Sequence, residues 1–221
     1  MRTVVAAEAA DLTAKARIRD AALYCFADQG FQVGLRAIAE RAGVSVALIT
    51  HHYGTKDALR EVCDEHVLQR FSTVKLAGVV DPLATVRDAY ADPTEASVLT
   101  VYIIRCFEAG APAARQFYDN LVSRYGEVMA AATAAGYLKP SSNPELRDRI
   151  LTEQIIGQSL VRFAINPPRR VEEFFTAAYL DNETLPLLIE MYTHGVMQEN
   201  ELWQRTIASM PHGTTTTEET A

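Results

Sequence analysis

No apolar run in the sequence approaches the roughly 18 residues that cross a bilayer as a helix, so no membrane-spanning helix is expected. Alternating apolar and polar runs are also missing, as are internal repeats, which argues against a sheet. The three cysteines, Cys25, Cys63 and Cys106, are odd in number and widely spaced. They outline no disulfide framework and point to a reducing compartment. There is no glycine loop that cradles phosphate, and no Ser-His-Asp or Cys-His order with a supporting motif. Cys63 and His66 stand at helical spacing, but a single pair is half of a zinc site and no second pair accompanies it, so neither metal nor cofactor is expected. Glu190 and His194 are the best acid-base pair in the chain and read more simply as a surface ion pair. At the N-terminus, Val4 to Ala7 is too short for the core of a signal peptide, and Glu8 and Asp11 break any extension of that run. These absences lead to the expectation of a cytoplasmic protein that is not an enzyme.

What remains is ordinary for a folded chain: 221 residues, 48% of them hydrophobic and 22% charged. The net charge of −7 argues at first against nucleic acid, but it is unevenly spread. Met1 to Arg60 holds 8 Lys and Arg against 6 Asp and Glu, whereas Glu61 to Ala221 holds 13 against 22. A mildly basic head on an acidic body fits a DNA reader joined to a domain with another task.

The organising stretch is LRAIAERAGVSVALITHHYGTK, from Leu35 to Lys56. Leu35, Ile38, Ala39 and Ala42 make one apolar stripe on a helix, and Gly43 stops it. Ser45 is placed to cap a second helix, Val46 to His52, with Ile49 and Tyr53 on one face. Two short helices joined by a tight glycine turn form the geometry that lays the second helix into a major groove. Arg36 and Lys56 are placed to reach phosphates on either side, and Thr50, His51 and His52 to donate to phosphate oxygens. Val46, Ala47 and Leu48 are small and apolar, suited to thymine methyls. Lys15 and Arg17, on the outer side of a preceding helix from Thr13 to about Gln29, approach the same backbone. Ser45 and Tyr53 complete the candidate DNA-binding set.

The flanking residues sharpen this reading. ARIRDAALYCFADQGF, LRAIAERAGVS and HHYGTKDALREVCDEHV together resemble the DNA-binding domain of the TetR family of transcriptional regulators, over Thr13 to about Val67. Gly34 stands where that family usually has a capping Ser or Thr, and the segment from Phe31 to Leu35 is short by about one residue. Thr50 stands where a phosphate-contacting Tyr is common, and Val46 where Lys or another polar residue is common. The resemblance implies an all-α chain: a three-helix helix-turn-helix domain over residues 1–55, then a helical ligand-binding and dimerisation domain over 56–210. The helix over 56–75 is the link. The polar tail from 211 to 221 is expected to be disordered.

Within the body, Thr55 is placed to cap the linking helix, and breaks are expected at Gly78, Asp81-Pro82 and Asp92-Pro93. Helices follow from about Thr94 to Ala109, Pro112 to Ala135 and Pro144 to Ile165, the last capped by Asn143. Asn166-Pro167-Pro168 ends it. Val171 to Tyr179 is short, and Asn182 begins a last helix running to about Ser209. Leu146 and Ile150 on one long helix, with Leu188, Met191, Tyr192, Val196 and Trp203 on the last, suit a four-helix dimer interface, though both helices could instead complete a monomeric core. Tyr90, Tyr102, Arg105, Cys106, Tyr118, Tyr125, Gln154, Gln158 and Arg162 place polar tips along apolar helices, the mixture used by a pocket for a small, mostly apolar ligand.

The function expected is a ligand-responsive homodimeric regulator, most simply a repressor of a palindromic operator in double-stranded DNA. Two alternatives stay open at this point: a redox sensor using a cysteine thiol, and a small helical-bundle enzyme.

Overall fold

The computed structural model describes residues 2–81, 93–179 and 184–196, with isolated positions beyond, and every regular element among them is helical. They form α1 (Arg2–Gln29), α2 (Leu35–Ala42), α3 (Val46–Tyr53), α4 (Lys56–Val80), α5 (Pro93–Glu108), α6 (Ala111–Ala134) and α7 (Pro144–Ile165). A 3-10 turn, Val171–Glu173, leads into α8 (Phe174–Tyr179), and α9 is Thr184–His194. Contacts divide the chain into a unit from Met1 to Asp181 and a second from Asn182 to Ala221.

Local signals place most boundaries. Asn143 accepts from the Leu146 amide at 3.0 Å, with Pro144 at the first helical position. Thr55 accepts from the Ala58 amide at 3.1 Å. Gly136, at φ 81°, closes α6, whose Ala132 carbonyl accepts from Tyr137 at 3.0 Å. Three expectations are corrected. Thr13 lies inside α1, which begins at Arg2, because the alanine-rich run from Ala6 to Ala10 is the strongest helix-forming composition. Helix α4 continues through Gly78 to Val80, since one glycine weakens a helix interior by only about 1 kcal/mol. In the second unit α9 ends at His194, before Gly195 at φ 76°, a conformation that no helix interior contains. The Pro82 and Asp92 breaks, the Asn182 cap, Tyr90, Trp203 and the tail lie outside the described residues.

In the first unit one apolar cluster runs from head to body. Ile18, Ala22 and Phe26 of α1, Ile38 of α2 and Ile49 of α3 meet Leu59 and Val67 of α4, Val101 and Ile104 of α5 and Leu121 of α6. At the junction, the rings of Phe26, Phe31 and Tyr102 lie 5.3 to 6.3 Å apart in tilted and edge arrangements, the geometry aromatic pairs favour. The Arg60 guanidinium stacks 3.7 Å over Phe31.

A polar cluster sits beside these rings. Tyr102 donates to Asp64 at 2.7 Å, the Cys106 thiol lies 3.7 Å from the same oxygen, and Arg60 is 3.9 Å from the other. Burial pushes the Asp64 carboxyl above its ordinary range, more than Tyr102, Arg60 and Cys106 pull it down. The folded state therefore binds this proton more tightly than the unfolded chain does, and Asp64 costs stability as pH rises above the ordinary aspartate value of about 4. Asp64→Asn is expected to gain on the wild type as pH rises, its urea midpoint minus that of the wild type being more positive at about pH 7 than at about pH 4.5. A signed difference that falls over that interval contradicts the assignment.

Candidate nucleic-acid interface

The turn between α2 and α3 follows from two residues. Gly43, at φ 65°, ends α2 in the left-handed region, and the Val44 amide returns to the Ala39 carbonyl at 3.0 Å. Ser45 then caps α3 by accepting from the Leu48 amide at 3.2 Å. Ile49 is fully buried. Tyr53 donates its hydroxyl to the Lys15 carbonyl at 2.7 Å, fastening α3 to α1, and burial pushes that hydroxyl up to about 12.

These contacts divide the candidate DNA-binding set. Ser45, Val46, Ala47, Thr50 and His51 lie outward on the turn and α3, and Arg17 and Arg36 are exposed on α1 and α2. Gly34 gives α2 no side-chain cap, so the first amides of α2 remain open to an anion beside Arg36. Thr50 donates its hydroxyl back to the Val46 carbonyl at 3.2 Å, keeping its lone pairs outward. His52 is half-buried, its ring against those of His51 and Tyr53. Lys15 is exposed, with its ammonium 5.7 Å from the centre of the Tyr53 ring.

Three members turn inward instead. Tyr53 positions the helix, because its hydroxyl is spent on Lys15. Leu48 packs against the core, leaving the thymine-methyl role to Val46 and Ala47. Lys56 donates to the carbonyls of Phe31 and Val33 at 3.0 and 3.3 Å, closing the loop before α2; at most one of its three donors is left for phosphate.

The candidate ligand residues divide as well. Tyr102 and Cys106 belong to the Asp64 cluster. Arg105 donates to the Ala27 and Asp28 carbonyls at 3.1 and 3.4 Å, satisfying the last turn of α1. These three hold head to body. Tyr118, whose hydroxyl donates to Glu153 at 2.6 Å, joins α6 to α7, and its pKa is pushed up to about 12 by burial and that carboxylate. The Tyr125 ring lies 6.0 Å from Phe71. Gln158 and Arg162 are half-buried on α7, and Gln154 is exposed.

The redox alternative finds no support. All three thiols are buried, and burial raises the pKa of each, which disfavours the reactive thiolate. A disulfide reagent added to the native protein is expected to leave them unmodified over minutes and to titrate all three after denaturation. Rapid native reaction of Cys63 or Cys106 contradicts this.

A short helix presented on a tight turn, with cations beside it and a helical body behind, defines a helix-turn-helix DNA-binding protein. Comparison with known proteins makes the class particular. The sequence pattern of the bacterial regulatory proteins of the tetR family matches residues 18–63, and that of the tetracyclin repressor-like C-terminal domain matches 94–198. The HTH-type transcriptional regulatory protein RaaS of Mycobacterium tuberculosis (strain ATCC 25618 / H37Rv) is 34% identical over 206 residues, covering 92% of this chain and 96% of RaaS. The chain belongs to the TetR family of transcriptional regulators, and it is a regulator rather than an enzyme. Among solved structures, a putative fatty acid metabolism regulator of Clostridium perfringens aligns with a TM-score of 0.51 at 13% identity, over 83% of this chain and all of that one. That likeness concerns the fold. Salmonella enterica GusR aligns with a TM-score of 0.48 at 20% identity, over 76% of this chain and 95% of GusR.

Arg41, Tyr24, Glu172, Arg60 and Asp64 escaped the sequence reading. Tyr24 and Glu172 meet across 148 residues, and no local spacing signals such a pair.

Proposed function

We propose that the chain is a homodimeric repressor that binds an inverted-repeat operator through α3 and is released by a small, mostly apolar molecule held in the body. The observation that carries the reading is the outward row of Val46, Ala47, Thr50 and His51 on a helix fixed from behind by Ile49 and Tyr53, with Arg17 and Arg36 exposed on α1 and α2. Small apolar groups read thymine methyls while the cations set register on the phosphates.

Dimerisation is supported by α7, where Leu146, Ile150, Val161 and Ile165 are 40, 44, 57 and 70% exposed. Their spacing puts them within one face of the helix. By itself α9 leaves Leu187, Met191 and Tyr192 exposed too, with Val196 exposed beyond its end, and exposed apolar side chains without a cover mark an interaction site. In this reading residues 1–55 form the DNA-binding domain and 56–210 the ligand and dimer domain, with 56–75 of α4 as the link. Tyr118, Tyr125, Gln158 and Arg162 remain the pocket candidates. Release follows from linkage: a ligand that fits better when the two heads are misplaced for consecutive grooves weakens operator binding by the factor with which operator weakens ligand binding. Such a protein acts in the cytoplasm. Among the described residues no helix is long and apolar enough to cross a membrane.

Selection of bound sequences from a random duplex library, repeated at two salt concentrations, tests the proposal. An enriched inverted repeat that persists at the higher salt is expected. Weak binding erased by salt and without a motif contradicts it.

A further inference from the structure

We infer that Tyr24 and Glu172 are positioning residues for the DNA-reading head: with Arg41 they pin α2 to the 3-10 turn between α7 and α8. The inference rests on the reading of α3 as the DNA-contacting helix, because α2 is what carries α3. The geometry is a continuous chain of contacts. The Arg41 guanidinium, in the last turn of α2, lies 3.0 Å from the centre of the Tyr24 ring on α1. The Tyr24 hydroxyl donates to Glu172 at 2.6 Å, and Arg170 approaches the same oxygen at 3.4 Å.

Glu172 is itself held at its backbone. Its carbonyl accepts from the Ser97 hydroxyl at 2.8 Å, and that hydroxyl accepts from the Phe175 amide at 2.8 Å. Ser97 is completely buried on α5, so the turn has a fixed seat in the body. Burial raises the Glu172 carboxyl, but the bonds from Tyr24, its own backbone and Arg170 outweigh it and leave the pKa below its ordinary value. The group is a carboxylate at neutral pH.

The parts strengthen one another. A phenol that donates to a carboxylate gains electron density in its ring, and a richer ring face attracts a cation more strongly. Arg41 adjoins Ala42 and Gly43, the residues that set the turn into α3. On the body side, the Phe163 ring of α7 lies 5.6 Å from Phe174, the residue after the turn. A displacement of the end of α7, where Gln158 and Arg162 sit, therefore has a path to α2 that does not pass through α4.

Amide hydrogen exchange of the full-length protein, followed by mass spectrometry, tests this without DNA, so failure of the operator reading leaves its outcome interpretable. Tyr24→Phe removes one hydroxyl and keeps the ring. Exchange over residues 35–42 is expected to quicken about tenfold, as loss of a hydrogen bond to a charged group implies, while residues 111–134 of α6 keep their protection. Glu172→Ala should match it, Glu172→Gln should do less because an acceptor remains, and Tyr24→Phe with Glu172→Ala should be no worse than either alone. Arg41→Lys, at an exposed position, keeps the charge but loses the planar stack; it should quicken the same segment with the thermal midpoint unchanged. Unchanged exchange over 35–42, equal acceleration over 35–42 and 111–134, or additive single effects overturn the inference.

Discussion

Phe26→Ala is expected to lower the unfolding free energy by about 3–5 kcal/mol, the usual cost of removing a fully buried phenylalanine. Phe26 has no exposed surface, and its ring meets Phe31 at 5.3 Å and Tyr102 at 6.3 Å. Those partners are not interchangeable with ordinary core neighbours. Phe31 begins the loop that Lys56 closes, and Tyr102 holds Asp64 of α4. A cavity here removes apolar contact and also loosens two groups that position the head. For a chain of this size the thermal midpoint should fall by roughly 10 °C. Calorimetry with a reversibility check measures it, and a loss below about 1 kcal/mol contradicts the packing of α1 against α5.

The second large effect concerns assembly. Ile150→Glu combined with Val161→Glu places two charges on the exposed face of α7, where the wild-type side chains are 44 and 57% exposed. A single folded chain tolerates them, since each charge faces water. In a dimer that buries this face, each unpaired charge costs several kcal/mol. Sedimentation is expected to show a dimer for the wild type and a monomer for the double variant, with thermal unfolding of the variant independent of concentration. Affinity for the selected operator should fall on the order of 100-fold or more, because one short helix reads half of a two-fold site. A variant that remains dimeric contradicts α7 as the interface.

How far the sequence reaches depends on the range of the signal. Gly43, Ser45, Thr55 and Asn143 act on neighbours within three or four residues, so the turn and the helix boundaries they set could be read directly. Periodicity also picked out Ile38 and Ile49 as core. The direction of a polar tip is a longer-range matter. Lys56 and Tyr53 stand at positions suited to phosphate, yet each finds a backbone carbonyl on another element, and nothing near them in sequence announces it. Tyr102, Arg105 and Cys106 looked like a pocket lining because polar atoms interrupt an apolar run. The structure gives them another task, since the last turn of α1 and the Asp64 carboxylate both need partners at the junction. The early start of α1 was missed for a different reason: alanine content supports a helix without the apolar stripe that periodicity seeks.

Two chains on one inverted repeat is the central consequence of this reading. Native mass spectrometry of the protein mixed with the selected duplex, and with a duplex carrying one half-site, measures it directly. Two copies on the full site, and binding to the half-site weaker on the order of 100-fold or more, are the predicted result. One copy on the full site, or equal affinity for both duplexes, contradicts it.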